Sequence, residues 1–338
     1  MIKEKIESPF TEGSAFLERK PNVIKYRKAD IEILEHYYVC EDTKEEFTTG
    51  ALDKINLNQV YNLYREKFGI LFPDQIKRIR QKYDLSASKM SEILGLGTNT
   101  YRIYEQGEVP SIGNGRLILA ADDPKEVKRF LRSSKEVIGE KDYNKLQSRV
   151  EHLIEEEEKN RFSDFLMRRM FDVMVPDQYT GYRIPDFEKI SHMVLFFSER
   201  METWKTKLNK LLFYSDFLAF KNSGYGISGL EYRAIQMGPV PAKFEEIYNA
   251  MSGGEVVERE YYEMESGIYG SLFKPKTTFK GSLFSEFDLE VMEIVANSMK
   301  GKKAKEVIAQ SHKEKAWLEN EKERNMISYK DYAFDLSI

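Results

Sequence analysis

Apolar residues recur with two different periods along this chain. From Asn22 to Thr49 the sequence NVIKYRKADIEILEHYYVCEDTKEEFTT alternates, in VIKYRKADIEIL and again in EHYYVC. With a polar turn at 41–46, that alternation predicts short strands or a hairpin. The polar residues 1–20 predict a loose segment. Over 56–68, Leu57, Val60, Leu63, Tyr64 and Phe68 fall near one face of a helix. Residues 76–108, IKRIRQKYDLSASKMSEILGLGTNTYRIYEQGE, hold three short helical stretches. These run over Ile76–Tyr83, Ser86–Leu94 and about Asn99–Gln106, with a Gly95-Leu96-Gly97 turn and a stop at Gly107. The spacing is that of a helix-turn-helix. Pro73 suits a first helical turn. Arg116–Ala121 and Pro124–Ser133 add two helical stretches, so five helices are expected here.

The pattern then changes. Ile138, Leu146, Val150, Leu153 and Ile154 form a sparse stripe on a charged helix with an acidic run at Glu155–Glu158. A solvated connecting helix and a dimerising coiled segment both fit. PDQYTGYRIPD, 176–186, reads as a boundary loop. FEKISHMVLFFSER and METWKTKLNKLLFYSDFLAFKNSG follow as amphipathic helices. In the second, Leu208, Leu211, Leu212, Tyr214, Ser215, Leu218 and Ala219 trace the apolar side. Tyr225–Gln236 is strand-like, Met237-Gly238-Pro239-Val240-Pro241 reads as a sharp turn, and a helix is expected over Ala242–Met251. Residues 255–277 alternate as paired strands with Gly267 near the bend. Helices are expected at 285–299, 302–311 and about 315–322, with a last turn near 328–335. The expected fold is mainly α with small β elements: a β region over 1–70, a helix-turn-helix over 71–133, a connecting helix and linker over 134–186, and an α+β domain over 187–338.

Composition narrows the function. The chain has 338 residues, enough for two or three domains. A net charge of −4 means that DNA binding has to come from a local patch. Residues 73–130 hold ten basic and eight acidic side chains, a net of +2, which predicts weak non-specific affinity and a shallow salt slope. With one cysteine, Cys40, the chain can form no internal disulfide, and a reducing cytoplasm fits best. MIKEKIESPF lacks an apolar signal core, and no run of about 18 apolar residues predicts a membrane span. The 20 Tyr and 21 Phe point to aromatic packing and a protein-binding surface.

Catalytic signals are missing. His36, His152, His192 and His312 stand far apart and in no catalytic or metal-ligand motif, GYGISG lacks a strand-loop-helix context, and no Ser occupies a nucleophile elbow. No catalytic residue, cofactor or enzyme activity is expected. HYYVCEDTKEEF resembles half of a zinc knuckle, with Glu41–Lys44 where a second cysteine would follow Cys40. One thiolate cannot hold a structural zinc, so residues 1–70 are expected to be a degenerate, metal-free, zinc-ribbon-like region.

Binding residues can be placed. In the third helix of the helix-turn-helix, Thr98, Asn99, Thr100 and Arg102 stand where bases are read. Asn99 suits adenine, Arg102 suits guanine or phosphate, and Lys89 on the preceding helix suits phosphate. The motif could equally be kept for dimerisation or protein contact. Met237 and Pro239, with Tyr232 and Phe244 nearby, form a candidate partner patch flanked by charge. Tyr214 and Tyr248 join the candidates; both core and contact roles stay open.

Two resemblances follow. Residues 22–132 are similar to MqsA-type antitoxins, which join a zinc-binding domain to a helix-turn-helix. The likeness lies in IRQKYDLS, SEILG, the spacing through Gly97, and YEQGEVP. Ala87 stands where that family has glutamine and Ile103 where it has arginine, with Arg102 about 100° away. Residues 190–335 resemble the Panacea, or SocA-like, domain through LNKLLFYSDFLAF, ISGLEYRAIQMGPVPAKFEEIY and SHKEKAWLENEKERNMISY, the last holding His312 and Trp317. The resemblance implies an antitoxin that sequesters a protein toxin encoded beside it. The helix-turn-helix would bind the operon's operator DNA, with the chain a homodimer. A stand-alone transcription regulator and a proteolytic adaptor remain as alternatives.

Overall fold

A computed structural model describes residues 1–159, 171, 175–252, 255–263 and 269–338. They divide into two units, Met1–Met167 and Arg168–Ile338. About half of the chain is helical, with three small antiparallel sheets among the described residues.

In the first unit, β1 (Lys5–Glu7), β2 (Ser14–Tyr26), β3 (Ala29–Cys40) and β4 (Glu46–Phe47) pair in that order. The long hairpin of β2 and β3 stays in register from Ala15↔Cys40 to Tyr26↔Ala29. Its turn is Arg27–Lys28, with φ of 48° and 69°. Two left-handed residues match the right-handed twist of the strands. The expectation of a loose 1–20 is therefore corrected, because β1 and the start of β2 lie there.

Burial along β3 changes phase. Ala29, Ile31 and Ile33 are buried, and then His36, Tyr38 and Cys40. Helix α1 (Gly50–Phe68) meets the sheet edge at the slip. Gln59 accepts from Leu34 N at 3.1 Å and donates to Leu34 O at 2.9 Å. Asn56 accepts from His36 N and donates to His36 O, both at 2.9 Å. Two side-chain amides thus occupy backbone groups that a further strand would pair. Ile31 and Ile33 pack with Val60, Tyr64 and Val109, while Tyr38 packs with Ala15, Leu17 and Leu52.

Six helices follow: α2 (Pro73–Lys82), α3 (Ala87–Ile93), α4 (Thr100–Glu105), α5 (Ile112–Ala120), α6 (Pro124–Ile138) and α7 (Glu140–Lys159). Local chemistry sets their ends. Pro73 opens α2, while Ser86, Ser111 and Asp123 cap α3, α5 and α6. Ile76, Ile79, Met90, Tyr101, Ile118 and Val127 form one core, which Ile138, Leu146, Val150 and Leu153 join. That corrects the reading of the last four as a solvated or dimerising stripe: they pack inside their own unit. Residues 160–170 and 172–174 of the expected connector lie outside the described residues.

The second unit holds α8 (Phe187–Arg200), β5 (Thr203–Trp204), α9 (Lys205–Ser223), β6 (Tyr232–Ile235), β7 (Gly238–Pro241), α10 (Phe244–Ser252), β8 (Val257–Glu263) and β9 (Tyr269–Pro275). It ends with α11 (Glu286–Met299), α12 (Ala304–Ser311), α13 (Lys315–Leu318), β10 (Met326–Ile327) and α14 (Tyr329–Tyr332). Its sheets run β10-β6-β7 and β5-β9-β8. Every residue of α9 from Lys207 to Phe220 is buried, so its polar side is interior as well as its apolar side. Gly238–Pro241 is a strand, not the expected turn, in register from Tyr232↔Pro241 to Ile235↔Gly238. The bend is at Gln236–Met237. Strand β7 ends its sheet, an edge position where the missing N–H groups of Pro239 and Pro241 are tolerated. Gly267, expected near the β8–β9 bend, lies outside the described residues.

Candidate partner-binding surfaces

The polar side of α9 faces groups that saturate it. Asp216, fully buried, accepts from the backbone N–H of Ile227 and Ser228, both at 2.7 Å, and from the Ser228 hydroxyl. The Tyr232 hydroxyl also donates to it, at 2.6 Å. Burial raises the Asp216 carboxyl above its usual range, and these donors oppose the rise. The Tyr214 hydroxyl donates to Glu314 at 3.0 Å, and Glu314 also accepts from Ser337 N at 3.1 Å. The Tyr248 hydroxyl donates to Asn209 at 2.6 Å.

Lys210 is enclosed in the same layer, and its Nζ donates to Pro239 O at 3.0 Å. Burial lowers its pKa to about 7. Gly238 makes room for it: its φ is +92°, and a Cβ there would sit 2.4 Å from Ser311 Oγ and 2.6 Å from Lys210 Cε. The glycine of the unusual Gly-Pro-Val-Pro run is thereby explained by packing against a buried lysine. His312 and Trp317 stack beside it, with centroids 3.8 Å apart, and Trp317 Nε1 donates to Ile235 O at 2.8 Å.

This arrangement corrects four of the six residues of the expected partner patch. Tyr214, Tyr232 and Tyr248 are core residues with satisfied hydroxyls and no exposed surface. Pro239 is buried too, its carbonyl taken by Lys210. Phe244 is half-buried, and Met237 is 48% exposed at the β6–β7 bend. Sequence reasoning missed Leu318 and the tyrosines of the β8–β9 hairpin, Tyr261, Tyr262 and Tyr269, all exposed. A signal existed, since EREYYE breaks alternation with two adjacent aromatics.

In the first unit, Thr98, Asn99 and Arg102 are exposed and Thr100 is half-buried at the start of α4. Ile103 is exposed beside them. Arg80 and Glu105, paired at 2.6 Å, tie α2 to α4. Lys89 departs from expectation: its ammonium lies 2.8 Å from Glu92 and 3.1 Å from Asp142 of α7. Two carboxylates of the same chain occupy the charge that was expected to meet phosphate. Cys40 is buried, and its sulfur accepts from the Ser8 hydroxyl at 3.0 Å. No group of three or more His, Cys, Asp or Glu among the described residues is placed to hold a metal. No described helix is long and apolar enough to cross a membrane.

The chain matches no curated protein and no solved structure. Residues 208–318 match the family model described as "Antitoxin SocA-like, Panacea domain". The matched segment runs from Leu208 on α9 to Leu318 on α13, and so takes in Lys210, Asp216, the Gly238–Pro241 strand and the His312–Trp317 stack. The second unit thus contains a segment similar to the SocA-like, Panacea domain.

Proposed function

We propose that this protein is the antitoxin of a type II toxin–antitoxin pair, and that its second unit neutralises a co-encoded protein toxin by binding it. The match over residues 208–318 carries the reading. The mechanism is stoichiometric and non-enzymatic, and it acts in the cytoplasm. Of the six sequence candidates, Met237 and Phe244 are the ones whose surface a partner can reach. The test is co-expression with the protein encoded by the adjacent open reading frame. Growth rescue and co-purification are expected; failure of both overturns the reading.

The helix-turn-helix would add binding to the operon's own promoter, and hence autoregulation, with the chain as a homodimer. Exposed Asn99 and Arg102 support this. They also favour the second reading, a stand-alone transcription regulator. A binding assay on the upstream DNA at low salt tests it. Wild-type binding that Asn99→Ala and Arg102→Ala weaken is expected. No binding by the wild type would leave the motif as a scaffold.

A further inference from the structure

Strand β8 begins in period two, with Val257 and Arg259 buried and Glu258 exposed between them. From Tyr261 the alternation ends. Tyr261, Tyr262 and Glu263 are all exposed, and so is Tyr269, which pairs with Glu263 across the ladder. Among the described residues, three tyrosines at the ends of β8 and β9 thus stay 58%, 40% and 64% exposed. A domain core does not need them in that position.

Two of the rings are braced. Tyr262 packs edge-on to Trp204 at 5.6 Å, and its hydroxyl donates to Glu260, which pairs with Lys274. Tyr261 lies 5.0 Å from the Arg259 guanidinium. That guanidinium is fixed from below by Glu245 and Asn249, each at 2.8 Å. Rings held in this way lose little freedom on binding, as anchor residues at interfaces do. Charge supplies a direction. Glu258 and Glu263 are exposed, and Lys274, which stands opposite Glu258 in the ladder, pairs with Glu260 instead. Strand β8 is also the end strand of β5-β9-β8.

We propose that the paired strand ends of β8 and β9, with Glu258, Tyr261, Tyr262, Glu263 and Tyr269, are the docking edge for a basic polypeptide surface, that of the toxin, whose Arg and Lys side chains meet the tyrosine rings and the two carboxylates. The inference rests on the antitoxin reading. It is tested with the full chain and the purified product of the adjacent open reading frame, by calorimetry and by growth rescue. Tyr261→Ala/Tyr269→Ala is expected to weaken binding by about tenfold or more. Glu258→Lys/Glu263→Lys is expected to weaken it similarly and to flatten its salt dependence. The control Glu323→Lys, an exposed charge reversal outside the hairpin, leaves affinity unchanged. If the wild type binds and rescues and both hairpin variants do so equally well, the hairpin assignment falls and the antitoxin reading stands. A hairpin variant that loses self-association but keeps neutralisation assigns the edge to a second copy and also overturns the proposal. If the wild type neither binds nor rescues, both readings fall.

Discussion

Tyr214, Tyr232 and Tyr248 lie in the same unit as Tyr261, Tyr262 and Tyr269, yet the two sets have opposite surroundings. The first three are enclosed, and each hydroxyl donates to a buried carboxylate or amide. The second three stand in solvent on one hairpin. Residue type alone does not separate them. A buried tyrosine needs an acceptor for its hydroxyl: Asp216 and Asn209 of α9 supply it for Tyr232 and Tyr248, and Glu314 for Tyr214. Along β8 the ladder continues past the point where the domain body can cover both faces.

That contrast can be broken by measurement. Asp216→Ala leaves Tyr232, Ser228 and two backbone amides without their acceptor, and is expected to cost about 3–5 kcal/mol in a urea unfolding experiment. Replacing the buried Lys210 by Met works in the other direction. Its folded-state pKa of about 7 lies below the ordinary 10.5, so the unfolded chain binds the extra proton between those values. Stability from this group is therefore lowest below pH 7 and recovers as pH rises towards 10.5. Lys210→Met is expected to stabilise by about 1–4 kcal/mol at pH 6 and to flatten the rise between pH 7 and 10. Stability curves against pH for the two proteins would show it. An unchanged slope would place the lysine's charge in water.

Smaller effects sharpen the comparison. Tyr232→Phe keeps the ring and removes one donor to Asp216, at an expected cost of about 1–3 kcal/mol by the same unfolding assay. In the first unit, Lys28→Gly relieves one left-handed residue of the β2–β3 turn and should raise the unfolding free energy by about 1 kcal/mol. Tyr261→Ala/Tyr269→Ala should change stability by no more than about 0.5 kcal/mol, because these side chains lie in solvent. A loss matching that of Asp216→Ala would make them part of the core.

Legibility followed punctuation. Helices α2, α3 and α4 stood out because Pro73, Ser86, Gly97 and Gly107 mark their ends in chemistry that acts locally. The long hairpin did not, since Arg27–Lys28 carries no Gly or Asn to announce a two-residue turn. The phase slip between Ile33 and His36 also reads as a break, although the ladder runs through it. Its cause, the amides of Asn56 and Gln59, stands 20 to 25 residues away. Lys89 shows the same limit. Its pairing with Glu92 lies at helical spacing, but its pairing with Asp142 depends on how α7 folds back. At the candidate site, Gly-Pro-Val-Pro was visible as unusual. Its reason, a lysine from α9 passing Gly238, is a tertiary contact.

Neutralisation of a toxin by the second unit is open to a direct measurement. Growth rescue measures it most directly: the full chain and the adjacent open reading frame are expressed from separate inducible promoters. Induction of the neighbour alone is predicted to stop growth, and co-induction of this chain to restore it with a co-purifying complex. A neighbour that stops growth equally with and without this chain, and leaves no complex, would contradict neutralisation by the second unit.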